Sequence, residues 1–239
     1  MKKLFTALVA LVLSLSVSAQ FYIYCSNGDV LEVDSISLVK PDNYNNHEYV
    51  DLGLQSGLKW ATCNVGATKP EEYGNYFAWG EVTPKHSYDW STYKYGTDYN
   101  QLTKYCNDSY FGKNSFTDNK TVLDPEDDAA TVNWGGAWRM PTKAEQDELR
   151  TKCTWDWTTQ NGVYGYKVTG PNGNSIFLPA AGYMRGGTLY YAGSDGYYWS
   201  SSLYADNPSG AYYVSFYSDD VDWSGNSRIN GRSVRPVCQ

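Results

Sequence analysis

Side chains able to contact a ligand recur at every second position near the end of the sequence. In the segment 211–217, AYYVSFY, strand periodicity places Tyr212, Val214 and Phe216 on one face, which we expect to face the core. The other face would point outward and continue into the polar residues that follow. Tyrosine and tryptophan suit recognition because they offer a large contact area at little rotamer cost, although an ordinary solvated sheet surface is the alternative. The predicted ligand-binding residues are Tyr197, Tyr204, Tyr213, Ser215, Tyr217, Asp220, Asp222, Trp223, Asn226 and Asn230.

The sequence contains no motif that would support catalysis. It has no Gly-x-Ser-x-Gly, no His-Glu-x-x-His and no phosphate-cradling glycine loop. His47 and His86 stand far apart and outside any ligand-spaced motif, so we expect two loop histidines. The prediction is therefore no catalytic residues and no cofactor.

An acidic run and several cysteines could in principle bind a metal or form disulfides. The run from Asp124 to Asp128 offers oxygen ligands for calcium, but acids at a helix start are explained by the helix dipole without a metal. We therefore predict no metal site. The five cysteines are an odd number, which leaves at least one unpaired, and their spacing does not select a pairing.

Two short helices are expected to support the C-terminal strands. Thr142 and Glu145 form a Thr-x-x-Glu capping box, which predicts a helix over about 143–152. Asp124 as a cap, followed by a proline at the first helical position, predicts a second helix that runs to about Asn133.

Short strands and long loops make up the rest of the predicted domain. Residues 81–119 show little periodicity but hold several aromatics, so we expect an ordered excursion. From residue 182 onward the pattern is typical of β structure. The other strand predictions are 50–54, 58–62, 76–79, 164–169 and 175–178.

The N-terminal part of the sequence differs from the rest. Residues 1–19 have the basic, apolar and small-residue regions of a signal peptide, which predicts export from a bacterium to the extracellular space or outer cell surface. Residues 20–41 contain Asn27-Gly28 between strand-like runs and predict a β-hairpin appendage. Residues 42–46 are expected to be a polar linker and 47–239 the main domain.

The overall charge excludes some partners. The formal net charge of −7 repels nucleic acid and anionic membrane surfaces, and no later segment is apolar for long enough to span a membrane. The expected partner is a protein or glycan ligand at a cell surface.

Seven ordered blocks of sequence resemble a known family. One is WGGAWRMPTKAE at 134–145, and the others are EYVDLGL, LKWAT, YFAWGE, IFLPAAG, YWSS and GRSVRPV, in residues 48–54, 58–62, 76–81, 176–182, 198–201 and 231–237. They resemble the Fibrobacter succinogenes major paralogous domain proteins and, more distantly, the target proteins of diversity-generating retroelements and formylglycine-generating-type sulfatase modifiers.

The resemblance implies an α+β, C-type-lectin-like fold. Its expected form is two short helices packed on a small twisted antiparallel sheet with long loops, in addition to the N-terminal β-hairpin. In sequences similar to this one, retroelement mutagenesis of adenines varies the alternate positions of the C-terminal strands, although Trp223 does not fit an adenine-rich codon. The resemblance also implies structural roles for Arg139, Arg228 and Arg235.

These observations together predict a secreted or surface-exposed, non-catalytic ligand-binding protein. One alternative is a degenerate enzyme of the formylglycine-generating type, but that family holds copper with a close pair of cysteines and Cys238 stands alone here. Sugar-binding C-type lectins use a Trp-Asn-Asp motif that this sequence lacks. Another alternative is a surface assembly subunit that pairs through the N-terminal hairpin.

Overall fold

The computed structural model describes the backbone of residues 21–24, 30–33 and 42–239, and side chains from Tyr44 onward. The chain divides into two compact units, Met1–Lys40 and Pro41–Gln239. The predicted signal peptide and the predicted Asn27-Gly28 turn lie outside the described residues. In the first unit, β1 (Phe21–Tyr24) and β2 (Val30–Val33) pair antiparallel, so both strands of the predicted hairpin are present.

The second unit is an α+β domain built from small antiparallel sheets. Its described strands are β3 (Asp42–Tyr44), β4 (His47–Asp51), β5 (Lys59–Ala61), β6 (Thr154–Gln160), β7 (Val163–Thr169), β8 (Ser175–Pro179), β9 (Tyr183–Arg185), β10 (Thr188–Tyr190), β11 (Gly196–Leu203), β12 (Gly210–Tyr217), β13 (Asp220–Ser227) and β14 (Val237–Cys238). The sheets have the strand orders β14-β5-β4-β3, β6-β7-β8, β10-β9 and β11-β12-β13.

The segment predicted as a linker is part of the first of these sheets. Residues 42–44 form β3, which pairs with β4 from Asp42 opposite Tyr49 to Tyr44 opposite His47. The two-residue loop between them is closed by Asn45 and Asn46, whose φ angles are 49° and 64°. Tight hairpin turns require positive φ at both loop residues, and asparagine tolerates it. The linker prediction was therefore wrong, and His47 begins a strand rather than lying in a loop.

The other strand predictions agree with the structure to different degrees. The β7–β8 hairpin agrees closely with the prediction, and β4 and β5 are shorter or shifted. Residues 76–79 form no strand and make one isolated antiparallel bridge, between Phe77 and Arg232. Strand β6 was not predicted.

Helix α2 (Lys143–Lys152) has the predicted bounds and the predicted cap. Thr142 Oγ1 accepts a hydrogen bond from the Glu145 backbone N–H at 3.3 Å, and the Glu145 carboxylate accepts one from the Thr142 N–H at 2.7 Å. Arg139 donates two further hydrogen bonds to the same carboxylate, at 2.7 and 2.6 Å. The capping box is thereby tied to the loop that precedes the helix.

The other helix begins later than predicted. A 3-10 turn, Pro125–Asp127, precedes α1 (Ala129–Trp134), and the cap is Asp128 rather than Asp124. Asp128 Oδ1 accepts hydrogen bonds from the N–H groups of Ala130 and Thr131, both at 2.9 Å. The break in the helix coincides with the burial of Asp127, whose carboxylate is held by side chains of the excursion.

Four tryptophans are among the largest side chains of the described core, three in one cluster and Trp60 in the other. Trp60, Trp79, Trp138 and Trp199 are all fully buried. The indole of Trp79 donates to the Ser200 carbonyl at 2.8 Å, and that of Trp199 donates to the Phe77 carbonyl at 2.8 Å. These reciprocal bonds join two segments that are far apart in sequence.

The long excursion at 81–119 is packed onto this core by tyrosines. Tyr88, Tyr93, Tyr95 and Tyr105 are buried there. Tyr93 donates to the Trp79 carbonyl at 2.7 Å, and Tyr88 donates to the Tyr76 carbonyl at 2.6 Å. In the described part of the chain, neither helix has the length and apolar character needed to cross a membrane.

The contribution of the α2 capping box to the stability of the protein can be measured directly. Thr142→Ala should lower the free energy of unfolding by about 1 kcal/mol, because the N–H of Glu145 loses its acceptor. Thr151→Ala is the matched control, since Thr151 is exposed on the same helix, and it should change stability by less than about 0.5 kcal/mol. Urea unfolding of both variants measures the difference, and equal losses would contradict the capping role.

Candidate functional site

The predicted binding residues are carried mainly by the β11-β12-β13 sheet. Tyr213 on β12 lies opposite Trp199 on β11. Ser215 lies opposite Tyr197 on β11 and Asp222 on β13. Residues that face each other across strands share a side of the sheet, so the alternation places these side chains together as predicted.

Tyr213 is nevertheless buried, contrary to the prediction. It is 5% exposed, its ring meets Trp199 edge-on at 5.6 Å, and the Arg232 guanidinium lies 3.5 Å from the ring centroid. The physical reason is that both sides of the sheet are covered. Trp199 and Tyr213 belong to one core cluster, whereas Val214 and Phe216 belong to the other.

Tyr204 and Trp223 lie on the opposite side of the sheet from Tyr213. Trp223 faces Val214 in the strand register, and its ring packs against Tyr212 at 5.4 Å. The ammonium group of Lys143, in α2, lies 4.2 Å from the Trp223 ring centroid. Tyr204 also packs on Tyr212, at 5.0 Å. The prediction of a single binding face was therefore wrong for Tyr204 and Trp223, and Tyr212 is half-buried beneath them rather than in the core.

Tyr217 and Asp220 lie at the far end of the sheet. They face each other across the β12–β13 turn and are exposed, as is Asp222 on β13. Ser215 is half-buried between this end and Tyr213. None of these four residues lines the cavity described next.

The remaining predicted residues line a concave pocket. Its volume is about 410 Å³, and it lies between the β9–β10 hairpin and the side of the sheet that carries Tyr213. Tyr197, Tyr213, Asn226 and Asn230 line it, although Asn230 is 7% exposed and was expected to be open to solvent. The other lining residues are Trp90, Tyr183, Arg185, Tyr191, Ser227, Ile229 and Arg232.

Tyrosine rings form a continuous wall of this pocket. Tyr183 is the central member: its ring centroid lies 5.1 Å from that of Tyr197 and 6.1 Å from that of Tyr191. It also stacks at 5.6 Å on Tyr190, which does not itself line the pocket. Tyr197 then contacts Tyr213 at 6.0 Å. Burial and a hydrogen bond to Asp195 raise the pKa of Tyr197, so its hydroxyl stays protonated at neutral pH.

Arg232 forms the base of the pocket. It is 2% exposed, and its Nε and Nη1 atoms have no hydrogen-bond partner among the described residues. Its guanidinium lies 3.5 Å from the Tyr213 ring centroid, 4.6 Å from that of Trp199 and 5.1 Å from that of Tyr197. Burial lowers the pKa of Arg232, while the surrounding tyrosines oppose that effect.

Backbone pairing on both sides fixes the position of Arg232. Its N–H and carbonyl exchange hydrogen bonds with Phe77, each at 3.0 Å. The preceding residue, Gly231, exchanges bonds with Met184 of β9 at 2.9 and 2.7 Å. A Cβ atom at Gly231 would lie 2.6 Å from the Tyr88 ring, so only glycine permits this approach.

Sequence reasoning missed Arg232 and the β9–β10 hairpin. The hairpin had a local signal, because Gly186-Gly187 stands between two short runs of aromatic and apolar residues. No local signal identified Arg232, because its place depends on a bridge to Phe77, far away in sequence.

The acidic cluster considered for calcium is already occupied by protein cations. Asp124, Glu126 and Asp127 offer oxygen atoms within reach of one another. The Lys104 ammonium lies between them, 2.7 Å from Asp124, 3.6 Å from Glu126 and 2.6 Å from Asp127. Lys94 adds a further ion pair to Asp127 at 3.0 Å. These lysines account for the clustered acids.

A second groove brings a histidine near a cysteine. His47 and Cys63 both line a cavity of about 360 Å³, and the His47 ring is stacked on Trp134 at 3.7 Å. Burial raises the pKa of the Cys63 thiol, which keeps it protonated and weakly nucleophilic. The cysteines in the described part of the chain, Cys63, Cys106, Cys153 and Cys238, all have free thiols.

Comparison with known proteins gives one family match. Residues 142–237 match a family model described as "Domain of unknown function (DUF8237)". The match covers less than half of the chain and extends from the cap of α2 to β14, so it includes Arg232 and most of the pocket. The comparisons with curated proteins and with solved structures each gave no match.

Asp127 gives a test of the acidic cluster. Burial alone would raise the pKa of its carboxyl, but hydrogen bonds from Lys104, Tyr105, Tyr95 and Lys94 outweigh burial and lower it. Because the folded pKa lies below the unfolded value of about 3.9, the stabilising contribution is complete at neutral pH and is lost only as the pH falls through the folded pKa.

Asp127→Asn should therefore lower the free energy of unfolding at pH 7 by about 3 kcal/mol, because the neutral amide cannot accept all the hydrogen bonds that the buried carboxylate accepts. Lys94 also loses its ion pair, whereas Lys104 keeps the one to Asp124. The difference in the free energy of unfolding between the variant and the unmodified protein should stay constant above about pH 5 and narrow below about pH 4. Glu126→Gln is the control, because that side chain is 69% exposed, and it should cost less than about 1 kcal/mol. Urea unfolding across this pH range measures both variants, and a pH-independent difference would refute the mechanism.

Proposed function

We propose that the protein is a secreted or cell-surface, non-catalytic ligand-binding protein with a C-type-lectin-like fold. Its binding site is the pocket between the β9–β10 hairpin and the β11-β12-β13 sheet, and its ligand is a protein or glycan at a cell surface. The single observation that carries this proposal is the pocket itself, lined by tyrosine, asparagine and arginine side chains.

Burial of the tryptophans supports the fold and the relationship to the Fibrobacter succinogenes major paralogous domain proteins. Four of the sequence blocks that carry the resemblance each contain one of the fully buried tryptophans: Trp60, Trp79, Trp138 and Trp199. Residues that pack together at the core are those that a shared fold must keep. The α+β arrangement agrees with this relationship at a coarser level.

The composition of the pocket supports recognition over catalysis. Tyrosine supplies rigid contact area, and asparagine and serine supply adaptable hydrogen bonding. A volume of about 410 Å³ is within the range of small-ligand sites, roughly 300–1,000 Å³. The degenerate-enzyme alternative has weaker support, because the pKa of the Cys63 thiol is raised and that of Cys153 is raised to about 11.

Diversification by a retroelement is a further part of the proposal. Four of the alternate positions, Tyr197, Tyr213, Asn226 and Asn230, converge on the pocket. If these positions are varied, the genome should contain a near-copy of the 3′ coding end that differs mainly at adenines and lies beside a reverse transcriptase gene. Sequencing of the locus decides this point, and a locus without such a copy excludes active diversification.

Two matched double variants test the location of the binding site. Tyr191→Ala with Asn226→Ala removes exposed pocket side chains, whereas Tyr217→Ala with Trp223→Ala removes exposed aromatics elsewhere on the sheet. Binding of labelled protein to a glycan array and to intact cells should fall about tenfold or more for the first pair. The second pair should bind within about twofold of the unmodified protein. The reverse pattern would place the site outside the pocket, at Tyr217 or Trp223.

A further inference from the structure

Arg232 has an environment that its structural role does not explain. Arg228 and Arg235 are also buried, and each donates several hydrogen bonds to protein oxygens. In the described part of the chain, Arg232 has two buried side-chain nitrogens that lack a partner, whereas Arg235 has one, Nη2. Buried polar groups are normally hydrogen-bonded, so an orphaned cation indicates a missing acceptor.

Aromatic rings compensate only part of the free-energy cost of burying the Arg232 guanidinium. Arg232 lies near the rings of Trp199, Tyr197 and Tyr213, and cation–π attraction offsets some of the lost hydration. Ring faces do not satisfy the N–H groups in the guanidinium plane. A planar guanidinium pairs most strongly with a carboxylate, which can accept two hydrogen bonds from it.

The rest of the pocket is suited to an anion. Arg185 adds a second positive charge at the lining, and no aspartate or glutamate is among the lining residues. Asp195 accepts a hydrogen bond from the lining residue Tyr197 and is not itself a lining residue. This distribution contrasts with the sequence as a whole, whose net charge is −7.

We propose that the pocket binds an acidic sugar, with the sugar carboxylate accepting hydrogen bonds from the Arg232 guanidinium. This inference rests on the proposed function and specifies the class of its ligand. The tyrosine wall offers ring faces for the apolar side of the sugar. Asn226, Ser227 and Asn230 offer donors and acceptors for its hydroxyl groups.

The pocket favours a sugar over other carboxylates because most of its lining side chains carry polar groups. Two asparagines and a serine line it together with several tyrosines, whereas Ile229 is the aliphatic lining residue. A fatty acid or an apolar peptide end would place hydrocarbon against these polar groups and leave them unpaired.

Matched ligands test the carboxylate directly. Glucuronate and galacturonate should bind about tenfold or more tightly than their uncharged amides, which have the same ring and nearly the same shape. Calorimetry at fixed ionic strength measures this ratio. In two-dimensional NMR of the unmodified protein, glucuronate should also shift the Arg232 Nε–H resonance, and the amide should not.

Two variants distinguish hydrogen bonding by the Arg232 guanidinium from a general electrostatic attraction to positive charge. Arg232→Lys keeps a charge but loses the planar fork, and it should remove most of the selectivity for the acid over the amide. Arg185→Ala, at an exposed position, should weaken acid binding by only about twofold to threefold, because a solvent-screened charge contributes little. Thermal unfolding followed by circular dichroism checks that both variants are folded, and the NMR shift in the unmodified protein decides the matter if Arg232→Lys is not.

The outcomes distinguish this inference from the proposed function. Equal binding of acid and amide, with loss in the Tyr191→Ala/Asn226→Ala variant, would overturn the carboxylate contact and leave the binding pocket in place. Absence of binding by all these sugars would overturn the acidic-sugar inference, and the glycan-array and cell-binding comparison would then judge the pocket independently.

Discussion

The structure depends on the burial of three arginines within one irregular segment, from Arg228 to Arg235. A buried guanidinium is tolerated only when other groups replace its hydration. Arg228 meets this requirement with the carbonyls of Lys104, Tyr105 and Pro208, and it thereby anchors the long excursion. Arg235 donates to the carbonyls of Ala61 and Thr62 and so fixes the chain after β5. The hydrogen bonds from these two guanidinium groups to loop carbonyls hold the loops in place.

This arrangement also determines where the domain can open to a ligand. The β11-β12-β13 sheet has a core cluster on each side, so strand alternation does not by itself expose one face. On the Tyr213 side, the pocket lies beside the β9–β10 hairpin, whereas Tyr217 and Asp220 are exposed at the far end of the sheet. The pocket therefore has rigid walls set by backbone pairing of Gly231 with Met184 and of Arg232 with Phe77. Rigid walls reduce the ordering cost of binding.

The sequence predicted the features that depend on nearby residues. The bounds of α2 follow from a capping box within four residues, and the β7–β8 hairpin follows from its turn. Strand β6 was missed because it follows α2 directly, without a glycine or proline to mark the change. The alternation of β12 was correct, but the exposure of Tyr213 was not, because the cover on that side comes from Arg232 and Trp199. Burial by residues that are distant in sequence produces no pattern in the sequence around the buried residue.

An unpaired guanidinium at the base of a pocket also affects selectivity. Arg232 is already buried, and a neutral ligand that fills the cavity gives its N–H groups no acceptor, so the cost of burying the guanidinium remains. A carboxylate removes that cost and adds a charge-assisted hydrogen bond. The two ligands therefore differ by a charge-assisted hydrogen bond made at a desolvated cation, and polar sites reject analogues lacking one group for the same reason. Because aromatic rings already hold the cation in place at 3.5–5.1 Å, little reorganisation opposes the acidic ligand. The rings that pack around the guanidinium thus also keep it positioned for its anion.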